Sequence, residues 1–395
     1  MSTVDSKLAM GLQTPCYVYD LDLLDETLRR IRNELNKHAN YHQHYAIKAN
    51  TDPTVLRHIA AAGFGADCVS GGEIRAALAA GFAPSEISFA GVGKADWEIR
   101  LAIESDIECF NVESIAELEV INSIAQQMNA TARVCFRINP DVGAHTHANI
   151  TTGLAENKFG IAREDMQKVV RLAGEMSNVK CIGLHFHIGS QILDMTDFRE
   201  LCQRVNELQD ELDAAGIPTM SIINVGGGLG VDYDDPDDHP YADFTAFYDT
   251  IAQTLKLREG QQLITELGRA VVAQMGSLVT KVLYVKQGSV KQFVIVDAGM
   301  TDLIRPALYG ARHRIENLGA EDTTESGDIS ARGTATYDVV GPICESSDVF
   351  ATGITLPVAK RGDYIRICSA GAYGQTMASQ YNTRPLPNVV CRQNN

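Results

Sequence analysis

A lysine directly follows an apolar segment near the start of the chain, where its type and position could do chemistry. The segment is Tyr45-Ala46-Ile47, and Lys48 comes next. A lysine beside a buried strand costs free energy unless it is used, although it can also extend its charged end into solvent as an ordinary surface residue. A desolvated lysine amine has a lowered pKa and is a nucleophile toward carbonyl compounds. Both interpretations of Lys48 stay open on this segment alone.

Two histidines and a serine follow a second apolar segment, in the order His185-Phe186-His187-Ile188-Gly189-Ser190. Because side chains alternate along a strand, both histidines point to the same side. A histidine pair can bind a metal, but no third ligand is evident, and we predict no metal site. Alternatively, one histidine stacks on a planar ring and Ser190 holds a phosphate.

Glycines and a carboxylate follow two later apolar segments. A glycine run such as Gly226, Gly227 and Gly228 lets backbone N–H groups approach an anion, or forms only a tight turn. Its spacing is not that of the dinucleotide-binding GxGxxG motif. The segment Glu266-Leu267-Gly268-Arg269 offers a carboxylate that could pair with a cationic ring nitrogen or with Arg269.

Three segments nearer the C-terminus mix reactive side chains with turn residues. They are Arg305-Pro306-Ala307-Leu308-Tyr309, Cys344-Glu345 and Ala370-Gly371-Ala372-Tyr373-Gly374. Taken one at a time, each is typical of an ordinary loop.

The composition excludes several classes of protein. The formal charge is −16, from 34 basic and 50 acidic residues, which argues against a general binder of nucleic acid or anionic membranes. Nine scattered cysteines without a CxxC pair favour reduced thiols in a cytoplasmic protein over a zinc ribbon or a disulfide framework. The polar residues 1–11 predict no signal peptide, and no apolar run approaches the roughly 20 residues of a membrane span.

Short apolar segments alternate with amphipathic ones over the first two thirds of the chain. Eight such repeats predict parallel strands with crossover helices, and therefore a (β/α)8 barrel with its site at the C-terminal strand ends. A doubly wound open sheet is the alternative. The predicted strands are residues 43–47, 65–69, 87–90, 109–112, 133–138, 181–187, 222–225 and 263–266. Helices are predicted at residues 113–128 and 198–212, and Ser70 with Glu73 predicts a capping box.

Strand patterns without intervening helices predict a separate, mainly antiparallel β domain after residue 270. Its strands are expected at residues 271–286, 292–297, 336–340 and 363–368, and the strand at residues 16–19 could pair with this sheet. The polar residues 312–333 predict a surface loop. The expected division is an N-terminal segment (1–38) that packs with the β domain, the barrel (39–268) and the β domain (269–395).

Taken together, these segments resemble the fold-type III pyridoxal-phosphate decarboxylases, and among them the diaminopimelate decarboxylases. The resemblance extends from Thr14 to Pro385. Its motifs, in family order, are residues 45–50 (YAIKAN), 67–73 (DCVSGGE), 145–153 (HTHANITTG), 158–161 (KFGI), 183–193 (GLHFHIGSQIL), 226–230 (GGGLG), 297–309 (DAGMTDLIRPALY), 340–348 (VGPICESSD) and 370–374 (AGAYG). Leu267 stands where the family commonly has proline, which changes backbone stiffness but removes no charge.

The resemblance implies pyridoxal 5'-phosphate as the cofactor and assigns residues to it. Lys48 would hold it covalently, Glu266 would pair with its ring nitrogen and His187 would stack on its ring. The cofactor-binding set is Lys48, His187, Ser190, Gly226, Gly227, Gly228, Glu266, Leu267, Gly268, Arg269 and Tyr373. A glutamate at the ring nitrogen favours decarboxylation over racemisation, because it keeps the ring protonated.

The resemblance also implies the substrate, meso-2,6-diaminopimelate, and the product, L-lysine, in the last step of lysine biosynthesis. Cys344 would donate the proton that replaces CO2. The distal end of the substrate would meet Arg269, Arg305 and Tyr309 through its carboxylate and Glu345 through its ammonium group. Tyr373 would contact both the phosphate and the substrate.

The resemblance further implies a homodimer with shared active sites, in which Cys344 and Glu345 reach the partner's cofactor. Three alternatives remain. A decarboxylase of ornithine, lysine or arginine is disfavoured by Arg305, and a racemase by Glu266 and Cys344-Glu345. A non-catalytic binding protein is disfavoured because Lys48 and Cys344 are both present.

Overall fold

The computed structural model of the chain describes residues 4, 6–142, 158–319 and 332–393. The family motif at residues 145–153 lies outside these residues. The chain divides into two compact units. A barrel unit contains residues 27–230 and 243–271, and a β unit contains residues 1–26, 231–242 and 272–395.

The strands of the described residues are numbered along the chain. From β1 to β16 they are Cys16–Asp20, Tyr41–Ala46, Gly65–Cys68, Ile87–Phe89, Cys109–Val112, Ala132–Arg137, Val179–His185, Ile222–Asn224, Gln262–Leu267, Gly276–Gln287, Gln292–Val296, Ile315–Gly319, Thr334–Val340, Val349–Pro357, Tyr364–Ile367 and Asn388–Arg392. The helices, from α1 to α11, are Ser6–Met10, Leu21–Leu35, Pro53–Ala61, Gly71–Ala80, Asp96–Glu104, Ile115–Gln127, Met166–Glu175, Met195–Ala214, Phe244–Thr254, Arg269–Val272 and Arg305–Tyr309.

Strands β2 to β9 form a closed parallel barrel. The ring closes where β2 pairs with β9, with Tyr41 opposite Leu263 and Tyr45 opposite Leu267. The predicted (β/α)8 barrel is confirmed, and the open doubly wound sheet is wrong. All eight predicted strands are present, with ends that differ by at most two residues from the prediction.

Both predicted helices are present around the barrel, at Ile115–Gln127 and Met195–Ala214. In α6, Leu118, Ile121 and Ala125 are buried, so the apolar face at spacings of three and four is the inner face. Ser70 caps α4 by accepting a hydrogen bond from the N–H of Glu73. The Glu73 carboxylate in turn accepts from the N–H of Val69, at 2.7 Å, and so ties the end of β3 to this helix. Among the described residues, no helix has the length and apolar character needed to span a membrane.

The β unit contains one mainly antiparallel sheet, as predicted. Its strands lie in the order β12-β15-β10-β11-β13-β14, and β1 pairs with both β10 and β16. The pairing of β1 with β10 is antiparallel, whereas that with β16 is parallel. The strand predicted at residues 16–19 therefore joins this sheet, as expected.

The loop predicted at residues 312–333 is corrected in its first part. Ile315–Gly319 forms β12, which pairs antiparallel with β15. Ile315, Asn317 and Gly319 are buried and alternate with half-buried residues, a strand pattern that the polar composition of the region obscures. Residues 320–331 lie outside the described residues.

Candidate active site

Lys48 lies at the carboxyl end of the first barrel strand. β2 ends at Ala46, and Ile47–Ala49 form one turn of 3-10 helix in which Lys48 is exposed between two buried residues. The adjacent strand places Asp67 opposite Ala46. Burial raises the pKa of the Asp67 carboxyl, the charge of Glu266 adds to the rise and the charge of Lys48 opposes it. Lys48 is therefore at the end of the barrel where sites of this fold form.

Glu266 lies inside the barrel, near the end of β9, at the centre of a hydrogen-bond network. Its Oε2 lies 2.9 Å from His185 Nε2. Its Oε1 accepts from Asn224 Nδ2 at 2.6 Å and from Asn111 Nδ2 at 3.4 Å. Asn111 belongs to β5, which is not a neighbour of β9, so this contact crosses the barrel interior.

This network keeps the Glu266 carboxyl ionised. Burial alone would raise its pKa, but the neighbouring His185 and the hydrogen bonds from His185 and Asn224 hold the pKa well below its usual range. Charge-assisted hydrogen bonds to a carboxylate favour the charged form. The barrel mouth therefore contains a fixed negative charge suited to a cationic partner.

His187, two residues beyond β7, is held as a neutral ring. Its Nδ1 accepts a hydrogen bond from the N–H of Gly227 at 3.4 Å. Burial lowers the pKa of the His187 imidazole far below its usual value, and the charges of Arg137 and Lys48 lower it further. An uncharged imidazole is suited to stacking on a planar ring.

The glycine run after β8 is required by close backbone packing. A Cβ on Gly227 would lie 1.8 Å from the carbonyl oxygen of Glu266, and one on Gly226 would lie 2.3 Å from that of Phe186. Gly226 also has a φ of +70°, which side chains with a Cβ rarely adopt. The backbone after β8 therefore lies directly against the ends of its two neighbouring strands.

Ser190 and Arg269 come together next to this turn. Ser190 Oγ accepts hydrogen bonds from Arg269 Nη2 at 3.0 Å and Nε at 3.3 Å. Arg269 is buried at the start of α10, and Leu267 and Gly268 are buried before it. A hydroxyl with a buried guanidinium is a donor pair suited to a phosphate.

These residues fit the cofactor that the resemblance implies. The Lys48 amine suits an aldehyde, the ionised Glu266 a protonated ring nitrogen, and Ser190 with Arg269 a phosphate. Two buried polar atoms, Asp67 Oδ1 and His185 Nδ1, have no hydrogen-bond partner within the described residues.

Several polar residues of this mouth were not assigned from the sequence. They are Asp67, Asn111, Arg137, His185 and Asn224, which lie on five different barrel strands and are all buried. Each is a buried polar residue at or near the end of a strand, and that position was the available signal. The role of these residues becomes evident only when the barrel is closed, because closure brings their strands around Glu266.

The β unit contains the remaining candidate residues. Arg305 is buried at the first position of α11, and Tyr309 is half-buried at its last. Tyr373 lies in a turn after β15 and has a φ of +55°. Positive φ in a residue other than glycine is uncommon and is concentrated at functional sites.

Cys344 and Glu345 lie exposed on a turn between β13 and β14. The buried Asp348 carboxylate holds this turn by accepting from the N–H groups of Ile343 and Met300, each at 2.6 Å. Asn382 Oδ1 accepts from the Cys344 N–H at 2.9 Å, and the Tyr381 hydroxyl donates to Glu345 at 3.2 Å. Cys344 and Glu345 are thus exposed on a turn that hydrogen bonds hold in place.

A cavity of about 530 Å³ lies at the opposite end of the barrel. It is lined by residues at the starts of the strands, among them His42, His44, Gly65, Glu108 and Gln262. Since sites of this fold lie at the other end, we do not assign the candidate chemistry to this cavity.

The chain matches a family model described as "Pyridoxal-dependent decarboxylase, pyridoxal binding domain" over residues 21–273. It is 62% identical to the diaminopimelate decarboxylase of Bacteroides thetaiotaomicron over 95% of each chain. It is 42% identical to the diaminopimelate decarboxylase of Helicobacter pylori J99, over 96% of this chain and 90% of that protein.

Solved structures agree with these sequence matches. The diaminopimelate decarboxylase of Helicobacter pylori complexed with L-lysine has a TM-score of 0.89 at 39% identity, covering 98% of this chain and 93% of that one. A lysine/ornithine decarboxylase of Vibrio vulnificus complexed with cadaverine has a TM-score of 0.82 at 22% identity, covering 97% of this chain and 96% of that one. The second similarity supports the fold alone.

Proposed function

This chain belongs to the pyridoxal-dependent decarboxylase family, and we propose that it decarboxylates meso-2,6-diaminopimelate to L-lysine and CO2. The observation that carries this conclusion is the match to diaminopimelate decarboxylases over nearly the full length of both chains. The enzyme is a carboxy-lyase that uses pyridoxal phosphate, and its reaction is the last step of lysine biosynthesis.

The barrel residues bind the cofactor in this proposal. When bound, pyridoxal phosphate supplies the electron sink that stabilises the charge left on the substrate carbon as CO2 departs. Lys48 provides the amine for covalent attachment. Glu266 would keep a proton on the ring nitrogen, because its own pKa is held low by His185 and Asn224.

The remaining barrel residues hold the ring and the phosphate. The neutral imidazole of His187 stacks on the ring. Ser190, the buried Arg269 and the backbone of the segments 226–228 and 267–268 bind the phosphate, which the pairing of Ser190 with Arg269 supports. Tyr373 contacts both the phosphate and the substrate.

Residues of the β unit, together with Arg269 of the barrel unit, select the substrate and complete the reaction. Diaminopimelate has a second amino-acid group, which needs a cation for its carboxylate and an anion for its ammonium. Arg305, with Tyr309 and Arg269, binds that carboxylate, and Glu345 binds the ammonium. The Cys344 thiol gives its proton to the carbon that has lost CO2.

We further propose a cytoplasmic homodimer in which each protomer supplies Cys344 and Glu345 to its partner's site. The exposure of Cys344 and Glu345 on a turn that hydrogen bonds hold in place supports this arrangement. The enzyme then has two equivalent sites per dimer, each built from both chains.

The test is CO2 release by the purified protein with pyridoxal phosphate from meso-diaminopimelate, ornithine, lysine and arginine in parallel. We expect turnover of diaminopimelate alone, with L-lysine as product, and none in Lys48→Ala. Turnover of ornithine or lysine instead would keep the fold and the role of Lys48 but overturn the assigned distal pocket.

A further inference from the structure

Arg305 has a histidine partner within the β unit. Arg305 begins α11, which ends at Tyr309 and is capped by Gly310 with a φ of +61°, and the chain then continues to β12. This turn brings His313 Nε2 to 2.7 Å from Arg305 Nη1. Both side chains are buried, with relative exposures of 6% for Arg305 and 7% for His313.

The backbone fixes the tautomer of His313. Its Nδ1 lies 2.8 Å from the carbonyl oxygen of Cys368, an atom that can only accept, so Nδ1 carries the proton. The backbone of the neighbouring residue is also joined to Cys368, because the Cys368 N–H donates a hydrogen bond to the Arg314 carbonyl at 2.9 Å. With the proton on Nδ1, Nε2 is an acceptor for a guanidinium that always donates.

A tyrosine ring completes the arrangement. The Arg305 guanidinium carbon lies 4.9 Å from the ring centroid of Tyr233, over its face. The His313 ring meets the same tyrosine edge-on, with centroids 5.0 Å apart and an interplanar angle of 79°. Tyr233 is itself fixed, because its carbonyl accepts from the Arg314 N–H at 3.2 Å.

We propose that His313 is a positioning residue that sets the orientation of Arg305 for the distal carboxylate of the substrate. This inference rests on the proposed function of Arg305. A guanidinium binds a carboxylate well only in a defined plane, and a long arginine side chain has many rotamers. The hydrogen bond to His313 Nε2 and the face of Tyr233 restrict this plane before the substrate arrives. By orienting Arg305, His313 thereby favours substrates with a second carboxylate.

Four variants test the proposal: Arg305→Ala, His313→Leu, the double variant, and His239→Leu as control. His239 is an exposed histidine of the same unit that pairs with Asp232 at 2.8 Å. In His313→Leu, we expect the KM for diaminopimelate to rise about 10- to 100-fold, as for loss of a hydrogen bond to a charged group. We expect kcat and cofactor absorbance to be retained, and the control to match the parent enzyme.

The double variant separates positioning from a general structural role. If His313 acts through Arg305, His313→Leu adds no further rise in KM once Arg305 is alanine. An equal rise in both backgrounds overturns the proposal. If Arg305→Ala raises KM but His313→Leu does not, this inference fails and the proposed function stands. If Arg305→Ala leaves KM unchanged, the assignment of Arg305 fails together with this inference.

Two conservative variants keep the proposal testable if His313→Leu does not fold. A glutamine oxygen can take the place of Nε2 and accept from Arg305, whereas an asparagine reaches only the Cys368 side. We expect His313→Gln to have the lower KM of the two. A KM for His313→Asn equal to or below that of His313→Gln contradicts the proposal.

Discussion

At the scale of single residues, the chemistry depends on how burial and partners set charge. Glu266 and Asp67 are both buried carboxyls of the same barrel mouth, yet their pKa values move in opposite directions. Glu266 has hydrogen bonds from His185 and Asn224, whereas Asp67 Oδ1 has no partner among the described residues. At Glu266, the electrostatic interaction with His185 and the hydrogen bonds to the charged form therefore outweigh desolvation, whereas at Asp67 desolvation and the charge of Glu266 prevail.

The charge of Glu266 is predicted to be essential for turnover. In Glu266→Gln, the side chain keeps its size but cannot hold a proton on the ring nitrogen. We expect kcat to fall by at least about 100-fold, which is typical for loss of a positioned acid–base group. Cofactor absorbance should be retained, because Lys48 still supplies the attachment.

The exposed Glu104 provides a matched control for this experiment, since Glu104→Gln makes the same change on the barrel surface. Rates within about twofold of the parent enzyme are expected there. A Glu266→Gln variant with normal kcat would show that the charge beside the ring is dispensable.

The candidate site was only partly predictable at this scale. Lys48 and Glu266 stand out in the sequence because a charged residue at the end of an apolar strand is unusual. Asn111 and Asn224 do not stand out, because a single amide in a short strand has many uses. They gain a role only when the closed barrel directs both amides at one carboxylate.

At the scale of secondary-structure elements, the start of the barrel strands contains a pair of titratable residues. His44 of β2 and Glu108, which precedes β5, lie 3.6 Å apart between His44 Nε2 and Glu108 Oε2. Burial lowers the pKa of His44 to about 4. Burial also raises the pKa of Glu108 to about 7, with the charges of Glu86 and Glu266 adding and that of Arg133 opposing. At a pH between these two pKa values, both His44 and Glu108 are neutral, and the contact between them is not an ion pair.

This arrangement predicts a pH-dependent effect of Glu108 on stability. The folded state binds the Glu108 proton more tightly than the unfolded state, whose pKa is near 4.5. The favourable contribution of Glu108 to the stability of the folded state is thus complete below about pH 4.5 and is lost as the pH rises through about 7. Glutamine mimics the protonated form. We expect Glu108→Gln to match the parent enzyme at pH 5 and to be more stable at pH 8, by about 1–3 kcal/mol.

Thermal unfolding midpoints at pH 5 and pH 8 measure this difference, with Glu104→Gln again as the exposed control. His44 has the opposite sign, because its lowered pKa makes protonation unfavourable to the folded state and its contribution is lost as the pH falls through about 4. A variant Glu108→Gln that is destabilised equally at both pH values would contradict the assigned pKa.

The elements themselves were predicted unevenly, for a physical reason. Most barrel strands are short segments rich in apolar residues and are covered on both faces, so their sequences alone indicate them. β14 contains Gly353 with a φ of +65° and has register shifts against β13, which disrupt a strand pattern. β16 is only five residues long and pairs with β1, at the other end of the chain. The pattern of β14 is therefore obscured by its own irregular backbone, whereas β16 is defined by a partner that is distant in sequence.

At the scale of the whole molecule, the proposed reaction draws on both units of the chain. The cofactor residues Lys48, His187 and Glu266 belong to the barrel unit, whereas Arg305, Cys344 and Glu345 belong to the β unit. In the proposed function, the barrel residues bind the cofactor, and residues of the β unit select diaminopimelate. The proposal therefore predicts that substitutions in the β unit change the substrate range while cofactor binding by the barrel is kept.

The proposed sharing of sites between two protomers makes a quantitative prediction. Lys48→Ala and Cys344→Ala should each be inactive alone, because every site lacks one of its two reacting groups. If the two variants are mixed in equal amounts and allowed to exchange subunits, half of the dimers are mixed. One of the two sites in each mixed dimer then has both Lys48 and Cys344 intact, so about a quarter of the parent activity should return.

The measurement is CO2 release from diaminopimelate before and after exchange, with size-exclusion chromatography to follow the dimer. Mixing Lys48→Ala with Lys48→Ala/Cys344→Ala is the control and should restore nothing, because no chain carries the lysine. If each protomer used its own Cys344, the mixed dimer would contain no complete site and activity would stay absent. Recovery near a quarter therefore requires that the thiol and the lysine of one site come from different chains.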